Sequence, residues 1–185
     1  MPLSSADIDT LHSYLKFSED FRLQAYNDSN LHPTVGVGFN LDRSDARALL
    51  TSVGANYDRV RDGAQDKPPP NAACLTVTQG EQLLAITADE AIKVAQSIFR
   101  GLDTCDATRQ IILIALCFNL GAGRVQGFQR LIAAVAKQDW DRAADELVDS
   151  LWYTQIGHRG PRDATALRTG IMPAMVPRKP VCTLP

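Results

Sequence analysis

The chain has 185 residues, which is enough for one domain or a small two-lobed one, and a hydrophobic content of 45% can build a packed core. A formal net charge of −2 argues against a protein that binds nucleic acid through a strongly basic surface. The longest apolar run, residues 111–118, is far shorter than the roughly 20 residues that a membrane helix requires. We therefore expect a soluble chain with no membrane insertion and no nucleic-acid partner.

The first elements predicted along the chain are a helix and a small antiparallel sheet. Ser5 can cap a helix that ends near Ser18. Residues 22–26 and 34–39 are typical of two strands, joined by a connection over residues 27–32. The apolar residues at helical spacing in the first helix are Ile8, Leu11 and Leu15.

Two glycines stand at alternate positions of the second predicted strand. Gly36 and Gly38 would leave one face of that strand without side chains, and such a face usually marks a close approach of backbone or ligand. A sugar ring could approach there. A bulge or tight backbone packing explains the same pattern equally well.

The remaining elements are predicted to be helical, apart from a loop at 63–75 that contains three consecutive prolines. Two capping-box patterns, starting at Thr78 and Thr87, predict a helix from 78 to about 100 with an interruption near Thr87. The segment 106–120 is apolar on all sides, as expected of a helix at the centre of a helical lobe. Other helices are predicted over 44–54, 56–63, 124–136, 139–151 and 161–169.

Four cysteines and three histidines lack the spacing of a metal site. Cys117 lies in the apolar helix and is predicted to be a buried thiol. The other cysteines could pair, and the sequence does not favour one pairing: they are Cys74, Cys105 and Cys182. We expect no metal and no cofactor, because the histidines are scattered: they are His12, His32 and His158.

Glu19, Asp28 and Thr34 together suggest a glycosidase site. Breaking a glycosidic bond requires an acid that protonates the leaving oxygen and a second polar group that stabilises positive charge or positions a water. Glu19 lies between Phe17 and Phe21, so shielding from water would help it to keep its proton. Asp28 lies in a polar turn, where a carboxylate should stay ionised. Taken singly, the three residues have ordinary explanations as a surface acid, a turn former and a strand residue.

These residues belong to an ordered set of motifs. Glu19 is followed by eight residues, Asp28, five residues, Thr34 and then Gly-x-Gly. This set resembles the phage lysozyme family of the T-even bacteriophages, and the resemblance covers roughly residues 8–170. The further segments that carry it are Phe118-Asn119-Leu120-Gly121, Val125-Gln126-Gly127-Phe128, Asp139-Trp140, Trp152-Tyr153, Arg159 and Arg168-Thr169-Gly170.

The resemblance implies an α+β, mainly helical, lysozyme-like two-lobed fold. A small antiparallel sheet lobe would span 19–75, and a larger helical lobe around a central buried helix would span 76–170. Together they would form a catalytic domain over 1–170. Residues 171–185 contain four prolines and are predicted to form an extended tail.

The resemblance also implies an inverting muramidase, a hydrolase of the β-1,4 bond between N-acetylmuramic acid and N-acetylglucosamine in bacterial peptidoglycan. Glu19 would be the general acid. Asp28 would stabilise the developing positive charge or, with Thr34, position the attacking water. A non-catalytic wall-binding module on the same fold and a chitin or chitosan glycosidase are the alternatives.

Four further residues align with supporting or sugar-binding positions of that family. Arg159 aligns with an arginine that orients the catalytic Glu, and a surface arginine is the alternative. Asn40, Phe118 and Asn119 align with positions that contact sugar, although Phe118 is equally compatible with a core position.

Charge is distributed unevenly along the chain. Residues 1–100 carry nine Lys or Arg against thirteen acids, whereas residues 150–185 carry five against one. Peptidoglycan strands with their peptides are anionic, so a basic C-terminal stretch could attract the enzyme to them, and a solvated tail is the alternative.

The N-terminus lacks the features of a secretory signal. We therefore expect a monomer that is made in the cytoplasm and reaches the periplasm or cell wall through a holin or a secretion system.

Overall fold

The computed structural model describes residues 1–176 and 179–184. The chain forms a mainly helical α+β fold with one small antiparallel sheet, as predicted from the sequence. In the described residues, no helix is both long and apolar enough to cross a lipid bilayer. The elements in chain order are α1 (Ser5–Glu19), β1 (Arg22–Asn27), β2 (Pro33–Gly36), β3 (Phe39–Asn40), α2 (Ala46–Ser52), α3 (Tyr57–Asp62), α4 (Val77–Ile98), a 3-10 turn (Leu102–Thr104), α5 (Ala107–Val125), α6 (Gln129–Ala136), α7 (Trp140–Val148), α8 (Leu151–Gln155) and α9 (Arg159–Thr169).

The chain divides into two compact units. The helical unit comprises residues 1–14 and 88–175. The sheet unit comprises residues 15–87 together with the end of the chain from Val176 onward. The chain therefore returns to the sheet unit after completing α9, where Thr183 contacts Gln24, a residue 159 positions earlier.

The sheet has the strand order β1-β2-β3, and one predicted strand is divided in two. The prediction of a continuous strand over 34–39 is wrong, because β2 ends at Gly36 and the chain reverses before β3. Gly36 and Gly38 have φ angles of +66° and +67°, which favour glycine because a side chain would be strained there. The two glycines therefore form a tight turn, and they do not form the bare face of a strand.

Helix α4 begins with a capping box, at a different threonine from the one predicted. The Thr76 hydroxyl accepts a hydrogen bond from the Gln79 amide at 3.1 Å, and the Gln79 side-chain oxygen accepts one from the Thr76 amide at 2.9 Å. The prediction of a box at Thr78 is therefore wrong. The predicted interruption at Thr87 is also wrong, because its hydroxyl donates to carbonyls of the preceding turn and the helix continues.

Helix α5 provides the buried centre of the helical unit, as its apolar sequence predicts. Its residues 110–117 are all buried. Cys117 is among them, and burial raises the pKa of its thiol to about 12. The thiol is therefore protonated and unreactive at neutral pH. The helix is kinked at Gly121, whose φ of 71° and ψ of 167° are not helical.

The tail after α9 is fastened to the sheet unit by a disulfide. Residues 171–176 and 179–184 contain no helix, and the predicted tail also includes Pro177, Arg178 and Pro185, which lie outside the described residues. Cys74 and Cys182 are bonded, with a sequence separation of 108 residues. Cys105, which could also have paired according to the sequence, is a buried free thiol like Cys117.

We expect Cys182→Ser to lower the free energy of unfolding by about 3 kcal/mol, because a disulfide restricts the unfolded chain and the loop closed here is long. Urea denaturation with and without a reductant measures this change. A reductant should destabilise the wild-type protein and leave the variant unchanged. Equal midpoints for the oxidised wild type and the variant would contradict the expectation.

Candidate active site

Glu19 is the last residue of α1 and lies at the junction between that helix and the sheet. The next residue, Asp20, has a φ of 69°, a conformation that Asp tolerates better than most residues, and the chain turns there into β1. Glu19 is half-buried. The turn between β2 and β3 approaches it closely, since a Cβ atom at Gly38 would lie 3.9 Å from the Cβ of Glu19.

Asp28 directly follows β1 and holds the connection to β2 in place. Its Oδ1 accepts hydrogen bonds from the amides of Asn30 at 2.8 Å and His32 at 2.9 Å. This is the local side-chain pattern that favours Asp in turns. Leu31 has a φ of 65°, so the connection is tightly wound. The backbone thus fixes the orientation of the Asp28 carboxyl group.

Three polar side chains form a row across the sheet, which we call the polar row: Tyr26, Thr34 and Asn40. Tyr26 pairs with Thr34, and Thr34 pairs with Asn40. Residues directly opposite each other in antiparallel strands point to the same face. The neighbouring pair Val35 and Phe39 is buried on the other face. The strand register therefore collects the polar groups on one face of the sheet.

Thr34 is connected to Asp28 through a shared acceptor. The Thr34 hydroxyl donates to the His32 carbonyl oxygen at 3.1 Å, and the Asp28 amide donates to the same oxygen at 2.9 Å. Thr34 is only 4% exposed. The His32 carbonyl thereby connects the buried Thr34 hydroxyl to the backbone of Asp28.

Tyr26 is half-buried in the sheet unit, and several charged side chains influence the pKa of its phenol. Burial raises the pKa of its phenol, the Arg22 guanidinium opposes this rise, and the carboxylates of Asp20, Glu19 and Asp28 add to it. Both Glu19 and Asp28 are therefore close enough to act electrostatically on the same phenol. The Arg22 guanidinium lies 4.2 Å from the centre of the Tyr26 ring.

A second set of polar contacts supports the polar row from the β3 side. The Asn40 side-chain oxygen accepts a hydrogen bond from the Asp42 amide at 2.7 Å. The Asp42 carboxylate contacts His32 at 3.0 Å and Arg61 at 2.7 Å, and hydrogen bonds from these two residues lower the pKa of Asp42. His32 is therefore held by its side chain as well as by its backbone.

The other sequence-predicted residues lie in the helical unit, where two of them are linked through Trp152. The Trp152 indole donates to the Asn119 side-chain oxygen at 2.9 Å, and the Arg159 guanidinium lies 5.9 Å from the centre of a Trp152 ring. Arg159 also donates to the Ala115 carbonyl at 3.2 Å. Phe118 is half-buried. The sugar-binding roles of Phe118 and Asn119 stay predictions.

Arg159 is buried, so the alternative of a solvated surface arginine is wrong. It is 6% exposed, and its Nε donates to Asp163 at 3.1 Å. Tyr14 also donates a hydrogen bond to Asp163, and burial followed by the Asp163 charge raises the pKa of Tyr14. Arg162 contacts Asp163 at 3.4 Å. One buried carboxylate thus holds Arg159 within the helical unit.

Sequence reasoning missed Tyr26 and Asp163. Tyr26 lies on a predicted strand two residues before Asp28, and this position was a signal for its role. The strand register that pairs Tyr26 with Thr34 cannot be read from the sequence. Asp163 stands four residues after Arg159, a spacing that brings opposite charges together on a helix. This signal was hidden because α9 begins at Arg159 and the prediction began it at residue 161.

In the sheet unit, the strand register places Tyr26, Thr34 and Asn40 on one face, and the His32 carbonyl connects Thr34 to Asp28. In the described part of the chain, no group of three His, Cys, Asp or Glu residues is arranged to hold a metal ion. The chemistry that this arrangement can perform is proton transfer by carboxyl groups, with a buried hydroxyl beside them. The catalytic roles of the individual residues stay predictions.

Comparisons with known proteins identify similar sequences over most of the chain. Residues 16–161 match the family described as phage lysozyme. Probable T4-type lysozyme 2 of Dictyostelium discoideum is 25% identical over 170 residues, which are 89% of this chain and 97% of that protein. Probable T4-type lysozyme 1 of the same organism is 24% identical over 175 residues, which are 90% of this chain and 98% of that protein. The pre-baseplate central spike protein Gp5 of Enterobacteria phage T4 is 26% identical over 174 residues, 91% of this chain and 30% of the spike protein.

We expect Asp163→Asn to lower the free energy of unfolding by about 3 to 5 kcal/mol, because it leaves the buried Arg159 guanidinium without its opposite charge. Urea denaturation measures the loss. The matched control is Asp141→Asn, which removes an acid that is 85% exposed and pairs with Arg168 at the surface. The control should unfold like the wild type. Similar losses in both variants would contradict a special role for the buried pair.

Proposed function

The chain belongs to the phage lysozyme family and is a lysozyme-type glycoside hydrolase, and we propose that it is an inverting muramidase of bacterial peptidoglycan. The bond cleaved is the β-1,4 bond between N-acetylmuramic acid and N-acetylglucosamine. The observation that supports this proposal best is the link between Asp28 and the buried hydroxyl of Thr34 through the His32 carbonyl, in the same unit as Glu19 at the end of α1. A glycosidase needs two carboxyl groups near one bond, and the sheet unit contains both Glu19 and Asp28.

Glu19 is the proposed general acid. It would transfer its proton to the glycosidic oxygen as the bond breaks, so that the leaving sugar departs as an alcohol. Its position at the end of α1, against the β2–β3 turn, restricts the directions that its side chain can take. Restricting the acid in this way reduces the entropy lost when the reacting atoms are aligned.

Asp28 and Thr34 are the proposed pair that handles the attacking water. The Asp28 carboxylate would accept a proton from the water or stabilise the positive charge that develops on the sugar ring. The Thr34 hydroxyl would orient the water, and both residues are fixed through the His32 carbonyl. In an inverting reaction the water attacks the face of the sugar opposite the leaving group, so the two carboxyl groups must leave room for it.

We propose that the enzyme acts in an oxidising compartment, the periplasm or the cell wall. The disulfide between Cys74 and Cys182 supports this, because disulfides persist in such compartments and are rare in the cytosol. Peptidoglycan is found in the same place. A holin or a secretion system would deliver the enzyme there.

The proposal predicts that Glu19→Gln lowers the rate of peptidoglycan clearing by at least about a thousandfold, because the amide cannot supply the proton. The fold should be retained, and circular dichroism checks this. The matched control is Glu81→Gln, which removes an exposed acid of the same unit that pairs with Lys16. The control should clear peptidoglycan at the wild-type rate, and clearing by Glu19→Gln at that rate would contradict the role of Glu19.

Product analysis separates the proposed reaction from its alternatives. Mass spectrometry should find reducing muramic acid ends, whereas a lytic transglycosylase would give anhydro ends. Proton NMR of the first product should show the α-anomer, as inversion requires. Cleavage of chitin oligomers and inertness toward peptidoglycan would favour the chitinase alternative. Binding without any cleavage by the wild type would favour a wall-binding module.

A further inference from the structure

Residues 179–184 of the tail lie along the outer edge of β1 in the sheet unit. The Leu23 amide donates to the Val181 carbonyl at 3.2 Å. The amide and hydroxyl of Thr183 both donate to the Gln24 side-chain oxygen, at 3.2 and 2.6 Å. The disulfide of Cys182 lies between these two contacts. The tail therefore follows β1 along the edge that β2 leaves unpaired.

A pocket of about 340 Å³ lies between β1 and this tail. Its volume falls within the range of pockets that bind small ligands. One wall comes from β1 and the residues before it, and the other wall comes from the tail. The lining residues are Asp20, Phe21, Arg22, Gln24, Ala25, Tyr26, Lys179, Val181 and Thr183.

The pocket adjoins the candidate active site through Tyr26. This residue lines the pocket, and it lies on β1 two residues before Asp28. Its ring also belongs to the polar row that contains Thr34. A ligand in the pocket would therefore contact a side chain that also borders the proposed catalytic groups.

The charges of the lining favour an anion. Lys179 comes from the tail wall, and Arg22 from the β1 wall forms an ion pair with Asp20, so the lining residues carry a net charge of +1. The one acid among the lining residues, Asp20, accepts hydrogen bonds from the Phe21 amide at 3.0 Å and the Arg22 Nε at 3.2 Å. Arg22 has further N–H donors on its terminal nitrogens, which suit a carboxylate.

We propose that this pocket binds the carboxylate-bearing peptide substituent of the peptidoglycan strand that the enzyme cleaves. This inference rests on the proposed muramidase function, because it places a second part of the same substrate beside the bond. The peptide is anionic, which matches the net positive charge of the pocket lining. The disulfide-fastened tail is then a substrate-binding element in addition to a cover for the edge of the sheet.

The test compares Lys179→Glu with Lys67→Glu, which makes the same change of charge at an exposed lysine outside the pocket. Two substrates are used: peptidoglycan with its peptides, and the same glycan after an amidase has removed them. We expect Lys179→Glu to raise KM about fivefold more on the peptide-bearing glycan than on the stripped glycan. The effect should fall on KM more than on kcat, and Lys67→Glu should not distinguish the two substrates. Equal effects of Lys179→Glu on both substrates would overturn the proposal.

Binding of the isolated peptide separates this inference from the proposed function. NMR titration of Glu19→Gln with a soluble acidic stem peptide should shift signals of Tyr26 and Thr183. The same titration on the Cys74→Ser/Cys182→Ser variant should give at least fivefold weaker binding, because the tail wall is no longer fastened. If the peptide binds but the wild type cleaves no peptidoglycan, the peptide-binding pocket is supported and the muramidase function is rejected. If the wild type cleaves peptidoglycan but the peptide does not bind, the muramidase function is supported and the peptide-binding pocket is rejected.

Discussion

A slip of one residue between β1 and β2 would turn Thr34 to the opposite face from Tyr26, because successive side chains of a strand alternate between faces. The register of this small sheet is therefore the constraint on which the candidate site depends. The pairing of β1 with β2 is irregular between Arg22 and Tyr26. These two residues are four positions apart in β1, whereas their partners Gly36 and Thr34 are only two positions apart in β2. Such irregularities are frequent beside active sites, because they redirect side chains. Here the irregular strand carries both Tyr26 and the Arg22 guanidinium that lies over its ring.

The two edges of β1 serve different purposes. One edge pairs with β2 and determines the polar row, and the other pairs with the tail, which covers an edge that could otherwise join another chain. The described hydrogen bonds between tail and strand are few, so the covalent bond from Cys182 to Cys74 is the main restraint on this contact. The disulfide therefore restrains the tail residues that form one wall of the pocket.

The helical unit uses buried charge to orient side chains. Asp163 is 1% exposed and receives hydrogen bonds from Tyr14 and Arg159. A buried carboxylate is tolerated only when charge and hydrogen bonds compensate for the loss of water, and these partners provide both. Arg159 then lies against Trp152, which in turn donates to Asn119. The conformations of these side chains are consequently interdependent, and removal of one partner is expected to disturb the others.

Local periodicity, capping residues and spacing predicted the first helix, the apolar centre of the helical unit and the set Glu19, Asp28 and Thr34. The fold class was predicted from the resemblance to phage lysozymes. The turn at Gly36 and Gly38, the pairing of Cys74 with Cys182 and the partners of Tyr26 and Arg159 were decided by the tertiary structure. These features depend on which distant segments of the chain contact each other. Residue type and spacing do not determine such contacts when several pairings of segments are chemically equivalent.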